Sequence, residues 1–235
     1  MRSFRTTFYF ITLAMVGSGL RATPHNPTPP STTSRILLGD SEAEFEGNWI
    51  EKGFPFIAAT DYHLETSADG ALVVKGISNG GNRSLHRELS LEQPTLARLS
   101  WRWKVQSTLT GDPAERTKGG DDYAARVFVV FEHSWIPTRI RAINYVWAAR
   151  EDVGSRYTSP YSKNVHNIVL RTRSDESTAN IWVEEERDVL ADYLACFGEP
   201  PSVLNAVAIM VDSDNTKCAA TGWFADLSLV SAIKH

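Results

Sequence analysis

The sequence has few cysteines, no excess of positive charge and no apolar run long enough to cross a bilayer. Its 235 residues include 24 lysines and arginines against 28 aspartates and glutamates, which gives a formal net charge of −4. Proteins that bind a nucleic-acid backbone usually present a basic face, so this balance argues against nucleic acid as a partner. The 2 cysteines and 6 histidines show no metal-ligand spacing, so a structural zinc site has no support.

The N-terminal segment has the parts of a secretory signal peptide. Arginines precede the apolar run Phe8 to Val16, and small residues follow it. The run is far shorter than the roughly 20 residues that a transmembrane helix needs. We therefore expect residues 1–22 to be a signal peptide, with cleavage between about Gly19 and Thr23. The mature protein is expected to have no membrane span and to be periplasmic or secreted.

A linker and a single domain are predicted to follow the signal peptide. Residues 23–35 are rich in proline, threonine and serine, a composition that cannot bury a core and is typical of a stiff, solvated linker. The hydrophobic content of 42% and the aromatic content of 10% are enough for a sizeable core. We expect residues 36–235 to form one domain.

The strongest strand signal lies between Gly119 and Trp147. Arg126 to Phe131 (RVFVVF) is an almost unbroken run of β-branched and aromatic residues, which is typical of a strand covered on both faces. A second run, Ala142 to Ala148, follows after a short polar link. The two runs predict a hairpin, or a close relative of one, at the centre of a sheet.

Elsewhere the chain alternates between short strand patterns and turn signals. In Leu96 to Val105 every second side chain is apolar, which predicts that Trp101 and Trp103 belong to the core. Leu190 to Phe197 is the one predicted helix, with Leu190, Leu194 and Phe197 on one face and a cap at Gly198. About ten strands without βαβ alternation predict an all-β fold, an antiparallel β-sandwich.

A Gly-x-Ser-x-Gly pattern at Gly76 to Gly80 suggests a serine nucleophile only superficially. A nucleophile elbow needs a helix directly after it, and Gly81 and Asn82 do not start one. We interpret the segment as a glycine-rich turn.

Five segments stand out in order along the chain: WRWKV (Trp101 to Val105), GDDYAARVFVVF (Gly120 to Phe131), NYVWA (Asn144 to Ala148), ERDVLADYLACFGEPP (Glu186 to Pro201) and VDSDNT (Val211 to Thr216). Together they resemble a family of exported bacterial proteins known only as a domain of unknown function. The resemblance implies a jelly-roll-like β-sandwich, similar in shape to exported sugar-binding domains. It supplies no activity and no ligand.

One group of polar residues is predicted to meet at the head of the central strand. The group consists of Asp121, Asp122, Arg126, Arg187, Asp188 and Asp192. If Arg126 is buried, its guanidinium must be paired, and Asp122 and Asp188 are the predicted partners. One interpretation is a buried ion-pair network that joins turns to the sheet.

The other interpretation of this group is a ligand-binding cleft. Arg126 or Arg187 would bind hydroxyl or carboxylate groups, and an aromatic ring would stack on the ligand. The candidate rings are Tyr145, Trp147 and Trp182.

Two acidic segments give further hypotheses. Asp212, Asp214 and Asn215 offer oxygen ligands for calcium, although they fall short of the six to eight that calcium takes, and a side-chain-stabilised turn is the alternative. No other cofactor is indicated. The run Glu184 to Glu186 offers carboxylates for a glycosidase, but a solvated strand face explains it more simply.

Cys196 and Cys218 lie in the last quarter of the chain. An exported protein meets an oxidising compartment, so one prediction is a disulfide between them, worth roughly 3 kcal/mol. The alternative is two small buried thiols.

These patterns favour a binding protein over an enzyme. We expect a non-catalytic β-sandwich that binds a glycan or another small polar ligand in the cell envelope. An envelope hydrolase that acts on saccharides through Asp and Glu, and a structural or assembly factor without a small ligand, are the alternatives.

Overall fold

In the computed structural model, residues 32–109, 112–132, 140–173 and 180–234 are described. The predicted signal peptide and most of the predicted linker lie outside the described residues. The last part of that linker overlaps a strand, because Thr33–Ile36 pairs with the C-terminal strand of the domain. None of the described helices is long and apolar enough to cross a membrane.

Two sheets and two short helices make up this part of the chain. The back sheet contains β1 (Thr33–Ile36), β3 (Asp61–Thr66), β4 (Leu72–Asn79), β6 (Pro94–Val105), β11 (Val183–Asp188) and β13 (Ala219–Ile233). The front sheet contains β2 (Trp49–Gly53), β5 (Asn82–Glu92), β7 (Ala125–Glu132), β8 (Arg141–Trp147), β9 (Arg156–Ser159), β10 (Ser162–Arg171) and β12 (Val203–Asp212). The helices are α1 (Glu42–Asn48) and α2 (Val189–Phe197).

The strand order places β7 in the middle of the front sheet, as its sequence predicts. The front sheet runs β2-β5-β12-β7-β8-β10-β9, and the back sheet runs β11-β6-β13-β4-β3 with β1 attached to β13. Strands β7 and β8 pair antiparallel, as predicted for neighbours along the chain. All pairs of strands are antiparallel except β8 with β10. The fold is an all-β, jelly-roll-like sandwich.

The two sheets meet through aromatic side chains. Trp101 and Trp103 of β6 are fully buried, which confirms the prediction from alternation. Trp101 packs on Tyr145 with ring centroids 5.5 Å apart, and Trp103 packs on Trp147 at 5.6 Å. Large rings in tilted contact bury much apolar area, so these pairs are a major part of the core.

Helix α2 forms where it was predicted and ends as predicted. Asp188 caps its N-terminus by accepting hydrogen bonds from two backbone N–H groups, and Gly198 ends it with a left-handed φ of 77°. Of the three residues predicted to share one face, Leu190 and Phe197 pack half-buried against the core, whereas Leu194 is half exposed. The fully buried residues of the helix are Val189, Asp192 and Tyr193. The face of α2 that meets the core includes the buried carboxylate of Asp192, so a pattern of apolar residues does not predict this face.

The segment Gly76 to Gly80 is also different from its prediction. Most of it continues β4, and the turn falls at Gly80, with φ of 70°, and Gly81. Ser78 is buried and lies 2.8 Å from the hydroxyl of Ser213. The contact between the two serines ties the end of β4 to the loop after β12.

Candidate functional site

A cleft of about 760 Å³ lies on the face of the front sheet that points away from the core. Alternation along β12 explains which side chains reach it. Val207, Ile209 and Val211 face the core, so Met210 and Asp212 face the cleft. The neighbouring strands supply matching positions, because pairing places side chains of the same face side by side.

The register gives two rows of side chains on the cleft floor. In the first row Ser84, Met210 and Arg126 are paired across β5, β12 and β7. In the second row Phe128 is paired with Asn144 of β8 on one side and with Ala208 of β12 on the other. Ala208 is in turn paired with His86 of β5. Both rows thus combine apolar and hydrogen-bonding groups.

Loops and edge strands complete the walls. The lining groups fall into apolar, neutral polar and charged sets. The apolar set is Gly53, Phe54, Ile57, Phe128, Val165 and Met210. The neutral polar set is Asn82, Ser84, His86, Asn144, Ser159, Tyr161 and Asn215. The charged set is Lys52, Asp121, Arg126, Asp212 and Asp214. Phe54 and Tyr161 are largely exposed at the rim.

Arg126 is buried at the cleft floor, and its ion pair is the central contact of the site. Its Nε donates to Asp212 Oδ1 at 2.7 Å, and its Nη2 donates to Asp212 Oδ2 and to the carbonyl oxygen of Asp121. The Asp121 carboxylate lies 3.9 Å from Nη1. Arg126 is 5% exposed and Asp212 is 1% exposed. The prediction that Arg126 is buried and paired is confirmed.

The predicted partners of Arg126 are wrong. Asp188 caps α2, and Asp122 accepts hydrogen bonds from the loop after β12. The true partner, Asp212, comes 86 residues later in the chain. Met210 is the direct neighbour of Arg126 in the sheet, and Asp212 lies two positions further on the same face. Only the pairing of β7 with β12 brings the two charges together.

Burial and charge act in opposite directions on this pair. Burial raises the pKa of the Asp212 carboxyl, whereas the nearby Arg126 lowers it without cancelling the effect. Burial alone would lower the pKa of Arg126, but the charges of Asp212 and Asp121 outweigh it and raise that pKa. The guanidinium is therefore positively charged, and the carboxylates of Asp212 and Asp121 balance this charge within the protein.

The loop after β12 is organised by Asp122. One of its carboxylate oxygens accepts from the backbone N–H and side chain of Asn215 at 3.2 and 2.9 Å. The other accepts from the backbone N–H and hydroxyl of Thr216 at 2.6 and 2.7 Å. These four contacts are those of a side-chain-stabilised turn.

The structure brings Asp122, Asp212 and Asp214 together, with one oxygen of each within 4.8 Å of the others. Both oxygens of Asp212 accept from Arg126. Asn215, the third predicted calcium ligand, lies with its Oδ1 2.5 Å from the hydroxyl of Tyr161. A calcium ion would have to compete with these contacts, so calcium binding stays a prediction.

His86 and Ser84 form a neutral polar pair on the floor. The Ser84 hydroxyl lies 2.8 Å from His86 Nε2, and it also lies 3.2 Å from the carbonyl oxygen of Lys52. Burial lowers the pKa of His86 to about 4, and the charge of Lys52 adds to the effect. His86 is therefore neutral near pH 7 and can donate with one ring nitrogen and accept with the other.

Asn144 joins the floor to a buried chain of hydrogen bonds. Its Nδ2 donates to Asn167 Oδ1 at 2.9 Å, and Asn167 donates to the hydroxyl of Tyr123 at 3.2 Å. That hydroxyl lies 2.7 Å from the hydroxyl of Tyr157. The Oδ1 of Asn144 is buried and has no hydrogen bond among the described residues.

Most of the other predicted ligand residues lie away from the cleft. Asp192 is buried and accepts from Tyr145 at 2.8 Å and from the Nε and Nη2 of Arg187 at 2.9 and 2.7 Å. Tyr145 and Trp147 are core residues, so the prediction that they stack on a ligand is wrong. The Asp192 group is the ion-pair network that the sequence offered as an alternative.

The run Glu184 to Glu186 lies on β11 at the edge of the back sheet, and Trp182 directly precedes that strand. The Trp182 ring lies under Lys104 Nζ at 5.2 Å and under the Arg102 guanidinium at 5.5 Å. Strand β11 alternates in exposure, as a solvated edge strand does. Neither Trp182 nor these glutamates contribute to the cleft.

The two cysteines are free thiols in the structure, and both are half-buried. Cys196 lies on α2, whereas Cys218 lies in the loop before β13, where its thiol contacts the carbonyl oxygen of Thr216. Burial raises the pKa of the Cys196 thiol. The structure therefore contains two separate thiols, neither of which is fully buried, whereas the alternative to the disulfide was two buried thiols.

Several cleft residues were missed by the sequence analysis. Asn82, Ser84 and His86 are polar at every second position of one strand, and Asn144 interrupts an otherwise apolar run. A row of neutral polar residues at every second position of a strand is a usable signal. Phe54 and Met210 gave no signal, because exposed and buried apolar residues look alike in sequence.

The sequence profile of a family described as "Protein of unknown function (DUF3047)" matches residues 47–228. The chain belongs to this family. A search of curated proteins finds no match. The DUF3047 match agrees with the resemblance seen in the five sequence segments.

Solved structures that are similar to this DUF3047 chain include carbohydrate-active domains. One is the xyloglucanase domain of a type three effector from Sinorhizobium fredii in complex with cellobiose, with a TM-score of 0.40 and 9% identity over 87% of this chain and 98% of that one. Another is the family 11 xylanase from Neocallimastix patriciarum, with a TM-score of 0.32 and 10% identity over 80% of this chain and 97% of that one. A third is the C-terminal CBM6 of a marine laminarinase from Zobellia galactanivorans, with a TM-score of 0.30 and 8% identity over 78% of this chain and 99% of that one. At these identities and TM-scores, nothing about the ligand or activity of this chain follows from the likeness.

Proposed function

We propose that this protein binds a glycan or another small polar ligand in the cleft of the front sheet, without catalysis, in the cell envelope. The observation that carries the proposal is the cleft itself. It has the volume of a small-molecule site and presents hydrogen-bonding groups beside apolar side chains. Ser84, His86 and Asn144 are the groups best placed to contact hydroxyls.

The state of the charged groups favours binding over hydrolysis. A glycosidase needs two carboxyl groups that face the scissile bond, one of them protonated. Asp212 gives both of its oxygens to Arg126, and Asp121 lies close to the same guanidinium. Asp212 therefore has no oxygen left to act on a substrate, and the buried acceptors of the lining that lack a hydrogen bond among the described residues are one oxygen of Asn144 and one of Asp121.

Asn144 supports a ligand that donates hydrogen bonds. Its buried Oδ1 has no donor among the described residues. A buried acceptor without a partner costs about 1–3 kcal/mol. A sugar hydroxyl that reached this oxygen would recover part of that cost, so ligands rich in hydroxyl groups are favoured.

A hydrolase that acts on saccharides is the second candidate. Asp121, Asp212 and Asp214 all line the cleft, so carboxyl groups do converge in one groove. Incubation with cellohexaose, xylohexaose and laminarihexaose, followed by measurement of reducing ends, separates the candidates. Release of reducing ends that is lost in Asp214→Asn would establish the hydrolase.

The binding proposal is tested by a glycan array followed by calorimetry with the best glycan. We expect His86→Leu and Asn144→Leu to weaken binding at least tenfold, because each removes a contact to ligand hydroxyls. Val230→Leu on the back sheet is the control and should bind like the parent. An array without any hit would sink the proposal and favour an assembly factor.

Export is part of the proposal and has its own test. The N-terminal sequence pattern supports it. N-terminal sequencing of protein from the extracellular or periplasmic fraction should give a start between about Gly19 and Thr23. An intact Met1 in a cytoplasmic fraction would contradict export.

A further inference from the structure

The cleft floor has an apolar part that a plain sugar does not explain. Phe128 and Met210 project from neighbouring strands, and Val165 adds a third apolar side chain. Phe54 and Ile57 line the wall formed by the loop after β2. Apolar side chains that line a cleft of this size favour a ligand with an apolar part, because burial of apolar area is what such a surface offers.

No tryptophan of the described residues lines this cleft. The described tryptophans are either in the core or on the back sheet, as Trp103 and Trp182 illustrate. Flat stacking of sugar rings on indole is therefore not what this floor provides. Met210 and Val165 instead present flexible and branched aliphatic groups, which suit an alkyl or irregular apolar moiety.

The charges near the floor disfavour an anionic head group. Arg126 is the cation of the floor, and Asp212 already pairs with it in a two-pronged contact. Asp121 and Asp214 add further negative charge to the lining, whereas Lys52 is the other lining cation. A carboxylate or phosphate would meet more negative than positive charge, whereas a neutral hydroxylated group would not.

We propose that the ligand of this cleft is a neutral sugar with an apolar aglycone. The sugar contacts Ser84, His86 and Asn144, and the aglycone lies against Phe128, Met210 and Val165. This inference rests on the proposed function, since it names the class of sugar compound that the same site binds. It also predicts that affinity depends on the aglycone, which the proposal of sugar binding alone does not predict.

The test is calorimetry with paired methyl and octyl glycosides of glucose, galactose, mannose and N-acetylglucosamine, each below its critical micelle concentration. In at least one pair we expect the octyl compound to bind more tightly, by up to about fourfold for each methylene that is fully buried. If no octyl compound binds better than its methyl partner, the inference is overturned. Octanol alone tests binding of the alkyl chain without the sugar. Octanol that binds as tightly as the octyl glycosides would also overturn the inference.

Two matched variants locate the effect. Val165→Asn places a polar group on the cleft side, and Val230→Asn makes the same change at a half-buried strand position of the back sheet. Val165→Asn should remove most of the octyl advantage, whereas Val230→Asn should keep it. Equal loss in both, or no loss in either, contradicts the inference.

The result can be separated from that of the proposed function. If an unmodified hexasaccharide binds and the octyl chain adds nothing, glycan binding stands and the aglycone inference falls. If neither hexasaccharides nor any glycoside bind, both fall.

Discussion

Arg126 on β7 and Asp212 on β12 form a buried, two-pronged ion pair across neighbouring strands of the front sheet. The pair closes the floor of the cleft and joins the central strand to the loop that Asp122 organises. Because both groups are buried, loss of Arg126 leaves the Asp212 carboxylate without its cation.

Arg126→Met should therefore destabilise the protein by about 3–5 kcal/mol, since it leaves Asp212 unpaired. Arg126→Lys should also be destabilising, because a single ammonium cannot reproduce the planar two-pronged contact. Thermal or urea unfolding beside the parent measures both. The double variant Arg126→Met with Asp212→Leu should recover part of the loss. Single variants that melt within a degree or two of the parent would show that Arg126 is not paired as described.

The Asp192 network predicts a different behaviour, in which stability changes and ligand binding does not. Asp192→Ala should cost about 1–3 kcal/mol, because it leaves the buried hydroxyl of Tyr145 without its partner, whereas water can solvate the half-buried Arg187. Tyr145→Phe should cost only about 1 kcal/mol, since it removes one hydrogen bond. Calorimetry on the folded Tyr145→Phe protein should give the affinity of the parent. A tenfold loss of affinity there would move the ligand site toward α2.

His86 predicts a pH dependence of stability with a definite sign. Burial lowers its pKa to about 4 in the folded protein, below the ordinary value of 6.5. The unfolded chain therefore takes up a proton first, and the contribution of His86 to stability falls as the pH drops from about 6.5 toward 4. The loss amounts to up to about 3 kcal/mol, from 1.36 kcal/mol per pKa unit.

Urea unfolding of the parent and of His86→Gln at pH 7.5 and pH 4.5 isolates this contribution. The parent should lose more stability than His86→Gln between the two pH values. An equal loss in both proteins would place the titrating group elsewhere.

Local patterns were enough to predict the central strands, the core tryptophans and α2. Each of these rests on periodicity or capping within a short segment, as in Arg126 to Phe131 or at Gly198. The burial of Arg126 also followed from its place beside an apolar run. The family of the protein and its sandwich fold could be predicted from the five sequence segments, which occur in a fixed order along the chain.

The cleft could not be predicted in the same way. Its floor depends on which strands are neighbours, and β5 pairs with β12 although about half of the chain lies between them. The partner of Arg126 was misassigned for this reason. The prediction that Tyr145 and Trp147 stack on a ligand was wrong for another reason. Strand β8 has apolar residues on both faces, so its sequence does not show which face meets the second sheet.

The most direct test of the account is an NMR titration of isotope-labelled protein with the glycan that binds best on the array. We predict that shifts concentrate on the front sheet, at Ser84, His86, Phe128 and Asn144, and that the indole signals of Trp182 and Trp223, which lie at the back sheet, stay in place. Shifts that concentrate on those two tryptophans, with the cleft residues unchanged, would contradict the assignment of the cleft as the ligand site.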